Sequence, residues 1–169
     1  MEVLPDIVGP EPLIVFCGLA GAESTKTRDH YYASPGNNFW AMLHRSGLTD
    51  RQLRPEEDVR IVEHDLGLTD LVGRWNPPRV EIDELVAKVE RWQPEWLAFT
   101  SKDVAGKAAR ALGHRKPGLG PVSWTVDRAE VFVLPGTSGA NQRKDYDGRV
   151  DRLSWWRDLA TLVGRDVQG

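Results

Sequence analysis

The sequence predicts an α/β protein: a three-layer α/β/α sandwich around a central, mostly parallel sheet. Two observations carry that expectation. Short apolar runs that suit buried strands alternate with longer amphipathic segments that suit helices, and this alternation is the pattern of a parallel sheet covered on both faces. Gly-rich loops also leave the ends of two of those runs, where open α/β sheets hold their ligands. At 169 residues the chain fits a single domain spanning residues 1–169, with no repeats, low-complexity tracts or clear linker.

The lead-in, residues 1–12, carries Pro5, Gly9, Pro10 and Pro12 and reads as irregular. Leu13 to Cys17 is apolar and partly β-branched, a buried strand. A Gly-rich loop, Gly18 to Ala22, follows, then a polar connector, the pair Tyr31-Tyr32 and a turn at Pro35-Gly36. Asn37 can cap a helix carrying Phe39, Trp40, Met42 and Leu43 that runs to about Ser46 and stops at Gly47. Pro55 to His64 reads as a short helix, with Pro55 at its start and Glu56 and Glu57 suited to its N-terminal dipole.

Leu66 to Val72 reads as a short strand or buried turn, and Gly73 to Arg79 as a loop with two adjacent prolines. In Val80 to Trp92 the residues Ile82, Leu85, Val86 and Val89 fall at i, i+3, i+4 and i+7, an amphipathic helix that Pro94 stops. Trp96 to Thr100 is a second buried strand, and Ser101 can cap a helix from Lys102 to Leu112. Val122 to Val126 and Glu130 to Leu134 can pair across Asp127-Arg128. The second strand feeds a second Gly-rich loop, Pro135 to Asn141. A last helix runs from about Asp151 to Val163.

Composition narrows the function classes. A single cysteine, Cys17, excludes a disulfide framework, a four-cysteine zinc site and an iron–sulfur cluster. His30, His44, His64 and His114 lack metal-ligand spacing, so neither metal nor cofactor is expected. No apolar run reaches membrane-spanning length and no basic-then-apolar leader opens the chain, which points to a cytoplasmic protein without a membrane partner. The formal charge is −3, yet residues 102–152 hold ten Lys/Arg against six Asp/Glu. A mildly basic half on an acidic molecule suits a DNA-binding face, and equally suits chance.

GLAGAEST and PGTSGANQ match neither the phosphate loop nor the dinucleotide fingerprint, and Ser24 and Ser138 lack a nucleophile-elbow context. What remains is a site of loop amides, one or two aromatics and an acidic residue, which suits a flat, hydrogen-bonding ligand such as a nucleobase. Taken alone, the second loop reads as an ordinary strand-to-helix turn.

Over nearly its whole length the chain resembles the mismatch-specific uracil-DNA glycosylases, the bacterial relatives of thymine-DNA glycosylase in the uracil-DNA glycosylase superfamily. IVFCGLAGA resembles that family's VFCGINPG, YYASPGNNFW its FAHPxNRFW-like segment, and VLPGTSGAN its VLPNPSGLN. GLTDRQLRPEE and GLTDLV match its middle. The resemblance implies a uracil-DNA glycosylase-like fold and a monomeric enzyme that acts on double-stranded DNA with a mismatched or damaged base. It implies hydrolysis of uracil's glycosidic bond, preferentially in G:U mismatches, without a cofactor. It places the base-binding pocket on Gly18, Leu19, Ala20, Gly21 and Ala22, with Tyr32 as the stacking aromatic and Asn37, the first residue of the helix-capping segment Asn37 to Trp40, as a further base-binding residue. The loop that enters the duplex falls on Gly136, Thr137, Ser138, Gly139, Ala140 and Asn141, with Arg143 and Lys144 as phosphate contacts.

The departures matter as much. Ala20 stands where the family's water-positioning Asn belongs, and Ala140 where a bulkier wedge is usual. Asp70, at a position where the family often has Lys, is the expected substitute, placed where a middle strand ends at the same sheet edge. Glu23 is the runner-up and Asp29 a third carboxylate. Two other readings stay open: a glycosylase for another deaminated base, such as hypoxanthine or xanthine, and a non-catalytic mismatch-binding protein.

Overall fold

A computed structural model of the protein describes residues 4–20, 29–75, 78–139 and 145–165; for 72–75 and 78–80 it describes the backbone alone. Its strands are β1 (Ile14–Ala20), β2 (Leu66–Trp75), β3 (Pro78–Val80), β4 (Trp96–Phe99), β5 (Gly120–Val126) and β6 (Ala129–Val133). Its α-helices are α1 (Phe39–Arg45), α2 (Ile82–Trp92), α3 (Lys102–Ala111) and α4 (Leu153–Leu162). The sheet order is β3-β2-β1-β4-β6-β5. The central pairs β2–β1, β1–β4 and β4–β6 are parallel, while β3 and β5 close the two edges antiparallel. This is the expected three-layer, mostly parallel architecture.

Alternation along the strands builds the layers. Ile14 and Phe16 of β1, Leu66 and Leu68 of β2, Ala98 of β4 and Phe132 of β6 point to one face, against Phe39, Trp40 and Leu43 of α1 and Trp156 and Leu159 of α4. Val15 and Cys17, Leu71, Leu97 and Phe99, and Val131 and Val133 point to the other, against Leu85 and Val89 of α2 and Val104, Ala105 and Ala108 of α3. Trp156 is the largest fully buried side chain, stacked on Phe16 at 5.7 Å. The lead-in is tied down by antiparallel bonds between Ile7 and Leu68, and by Asp6, which accepts from the Thr69 hydroxyl and pairs with Lys88.

Four expectations need correction. β1 continues past Cys17 to Ala20, because β2 pairs alongside it in unbroken register; the glycine within this strand hid the extension. The loop expected over Gly73 to Arg79 is instead the end of β2 and the start of β3, paired as Gly73↔Val80. Pro78 is tolerated there as the first residue of an edge strand. Pro55–His64 is a 3-10 helix, not an α-helix. Its buried residues, Asp58 and Ile61, are three apart, the repeat at which a 3-10 helix eclipses its side chains. The cap of α1 is displaced by one position: Asn38 precedes the helix, while the Asn37 side chain accepts from the Phe39 amide at 2.9 Å.

The connector before α1 is anchored through Tyr31, which is only 1% exposed. Its hydroxyl donates to the Pro5 carbonyl, its carbonyl accepts from the Trp40 indole, and its amide donates to the buried Asp58 carboxylate at 3.1 Å. Asp58→Ala removes that acceptor and should cost about 1–3 kcal/mol, seen as a lower urea midpoint with an unchanged slope.

Candidate active site

The polar residues at the carboxyl edge of the sheet follow from the same alternation. The apolar column Ile14, Phe16 of β1 continues to Gly18, Leu66, Leu68 of β2 to Asp70, and Ala98 of β4 to Thr100 just beyond its end. Gly18 and Asp70 are register partners. A Cβ built on Gly18 would lie 2.9 Å from Asp70 Oδ1, 2.9 Å from the Tyr32 hydroxyl oxygen and 3.5 Å from Thr100 Oγ1. Only glycine leaves room for three oxygens to converge there.

Tyr32 reaches this point from the connector. It takes a left-handed backbone conformation, φ +51°, which is costly for a bulky residue and persists only where the surroundings dictate it. Its ring stacks on Phe39 at 3.9 Å and 15°, and its hydroxyl donates to Thr100 Oγ1 at 2.9 Å. The Thr100 hydroxyl donates in turn to the Cys17 carbonyl, while the Thr100 amide donates to that same oxygen. The half-buried ring is thus fixed by a stack behind it and a hydrogen bond at its tip.

Asp70 is 5% exposed. It does not end its strand, as the sequence suggested; β2 runs five residues further, so the carboxylate is held by regular backbone on both sides. Cys17 lies on the opposite face of the sheet, and burial, with the Asp70 charge adding to it, pushes its thiol up well above the usual range. The thiol therefore stays neutral and is a packing residue.

Of the expected pocket residues, Gly18, Leu19 and Ala20 are strand, not loop. Pairing of β1 with β4 ends at Cys17↔Phe99, whereas pairing with β2 continues to Ala20↔Val72. By the alternation of a parallel ladder, the Leu19 backbone faces the side where β4 has ended, while Gly18 and Ala20 face β2. Leu19 is accordingly a strand residue whose amide faces away from β2, beyond the last register pair of β1 with β4. Gly21, Ala22 and Glu23 lie outside the described residues, as do Ala140, Asn141, Arg143 and Lys144. Asp29 is exposed in the connector, and Asn37 uses its side-chain oxygen on α1. Thr100 was not singled out from the sequence; its signal was the alternation Ala98, Thr100 along an otherwise apolar strand.

The second Gly-rich loop closes against the first half of the chain. The Asn38 amide donates to the Thr137 carbonyl at 2.8 Å, and Arg152, just before α4, donates to the carbonyls of Gly136 and Ser138. Gly139 meets Gly36 backbone to backbone: a Cβ at position 139 would lie 2.5 Å from the Gly36 carbonyl oxygen. The loop and the turn before α1 therefore form one clasp over the sheet edge.

Residues 5–160 match the family model of the uracil DNA glycosylase superfamily. The chain belongs to that superfamily. A solution structure of a "putative Uracil DNA glycosylase" from Methanosarcina acetivorans has the same fold, with a TM-score of 0.61 at 20% identity, over 95% of this chain and 96% of that one. Superfamily membership supports a DNA glycosylase and is consistent with DNA as the partner. Among the described residues, no group of three or more His, Cys, Asp or Glu could hold a metal ion, and no helix is long and apolar enough to cross a membrane.

The clasp yields a direct test. Gly139→Ala forces the two backbones apart and should destabilise the protein by about 1–3 kcal/mol, the range of an overpacked contact, measured as a fall in the urea midpoint.

Proposed function

We propose that the protein is a monofunctional DNA glycosylase that removes uracil, preferentially from G:U mismatches. The observation that carries this reading is the convergence of the Asp70 carboxylate, the Tyr32 hydroxyl and Thr100 over Gly18, at the edge where β1 runs on past its pairing with β4. The target nucleotide leaves the duplex at a cost of a few kcal/mol, which a mismatch lowers. The extruded base stacks on the Tyr32 ring, whose other face rests on Phe39. Amides at the end of β1 bind the base oxygens and stabilise the negative charge that develops on the leaving uracil.

Asp70 supplies what Ala20 does not. As the glycosidic bond lengthens, positive charge grows on the sugar. A buried carboxylate beside it lowers that barrier and orients the incoming water, whose oxygen bonds to the sugar carbon as the base departs with the bonding pair, while the water's proton passes to the Asp70 carboxylate. The second Gly-rich loop, held by Arg152 and the Gly36–Gly139 contact, meets the duplex where the base has left.

A panel of duplexes carrying uracil, thymine, hypoxanthine or xanthine opposite each base, scored by alkali cleavage at abasic sites, tests the substrate. Cleavage confined to hypoxanthine or xanthine would replace uracil with another deaminated base. No cleavage of any duplex would favour a mismatch-binding protein.

Two variants test the roles. Tyr32→Ala should lower excision about ten- to hundredfold, the worth of one base–aromatic stack, with a smaller effect on overall DNA affinity; unchanged excision would leave Tyr32 as a cover for the core. Asp70→Ala should keep the fold and lose about 10²–10⁴ in single-turnover rate on a G:U duplex. Asp70→Asn should retain part of the rate through water positioning alone, and Ala20→Asn should restore some activity to Asp70→Ala. Full activity in a folded Asp70→Ala protein would remove the carboxylate from the mechanism.

A further inference from the structure

The described basic residues between Lys102 and Arg152 include two contrasting groups. Lys102 pairs with Asp147, Arg149 with Asp158 while it lies over Trp155, and Arg152 holds the second Gly-rich loop. These cations are committed to the fold. Lys107, Arg110 and Lys116 instead converge on an open groove of about 370 Å³ along the outer side of α3, whose other lining residues are Asp103, Gly106 and His114. The Lys116 stem crosses α3 at Gly106, where a Cβ would stand 3.4 Å from its Cγ, an ordinary van der Waals contact. Asp103 is bound to Lys107 at 2.7 Å, but this pair is exposed, and such pairs exchange readily for another anion.

Two further features say what the groove takes. Asp103 also lines the cleft formed with Ser101, Lys102, Pro135, Gly136, Asp145 and Asp147, so the groove and the cleft beside the second Gly-rich loop adjoin at that residue. At its other end the exposed His114 ring stacks on Trp124 at 4.6 Å and 8°, a flat aromatic surface beside the cations. Cations grouped beside an aromatic platform match a nucleic-acid strand, whose phosphates repeat and whose bases or sugars can rest on rings.

We propose that this groove is a second nucleic-acid contact, which takes the phosphodiester backbone of the strand flanking the target nucleotide; it rests on the DNA-binding reading given above. The flank then follows α3 away from the sheet edge, and the three cations add affinity without touching the reacting base.

The test is the triple variant Lys107→Glu, Arg110→Glu, Lys116→Glu, with Arg60→Glu on the 3-10 helix as a control for charge reversal outside the groove and melting curves to confirm folding. Fluorescence anisotropy with uracil-containing and matched duplexes over a range of salt gives affinity, and single-turnover excision at saturating protein gives the rate. The triple variant should bind both duplexes at least tenfold more weakly, with the log–log salt slope smaller by about 2–3, because each phosphate contact contributes about 0.9 to it. Its saturated excision rate should equal that of the unaltered protein. Unchanged affinity and slope, or an equal loss in Arg60→Glu, would overturn the groove as a DNA contact. Absence of excision by the unaltered protein would count against the glycosylase reading alone, since the groove is judged by affinity.

Discussion

The missing Cβ at position 18 is the constraint on which the site depends. Asp70 Oδ1 and the Tyr32 hydroxyl oxygen would each stand 2.9 Å from that atom, closer than carbon and oxygen tolerate without movement. Any side chain there would push the carboxylate away, expel the tyrosine tip, or both. Displacing the tip would break the bond to Thr100 and loosen the ring from Phe39, so a strained connector residue would lose what holds it. The glycine that weakens β1 as a strand is thus what lets the carboxylate, the aromatic and Thr100 share one point.

The rest of the fold keeps that point in place from three directions. Parallel register sets Asp70 opposite Gly18 and leaves no slack, since a slip of one residue would send the carboxylate to the opposite face. The connector is anchored by Tyr31, buried among Pro5, Trp40 and Asp58, before Tyr32 turns toward the sheet. The clasp between Gly36 and Gly139, with the Asn38–Thr137 bond, couples the second Gly-rich loop to the same connector. The second loop thus bears on the same connector that carries the aromatic ring.

How much of this could be read from the sequence depended on the kind of signal. Amphipathic helices such as α2 and the buried strand β4 were legible because periodicity reports burial directly. The extent of β1 and the edge pairing of β2 with β3 were not, because Gly18 and Pro78 are breakers by propensity and only the neighbouring strands override them. At the site, Asp70 and Tyr32 were legible from the motif resemblance and its departures. Thr100 was not, since a threonine ending an apolar strand is unremarkable until the fold sets it beside a tyrosine hydroxyl. Asn37 was assigned to the pocket, yet its side-chain oxygen is used on the first turn of α1.

The substitution at Ala20 is easier to understand from the sheet than from the motif. Ala20 lies two residues beyond Gly18 on the same strand and therefore on the same face, one step nearer the open edge. Asp70 lies on the adjacent strand, level with Gly18. Diagonal positions of this kind are about 7–8 Å apart, within reach of a single water for side chains that lean toward each other. A water-holding amide at position 20 and a carboxylate at position 70 would thus serve one space from two strands. Under the proposed mechanism the two are alternatives, and the carboxylate adds a negative charge that an amide lacks. That charge favours the cationic sugar and opposes the anionic leaving base, so it suits a reaction in which amides at the end of β1 carry the burden of the departing uracil.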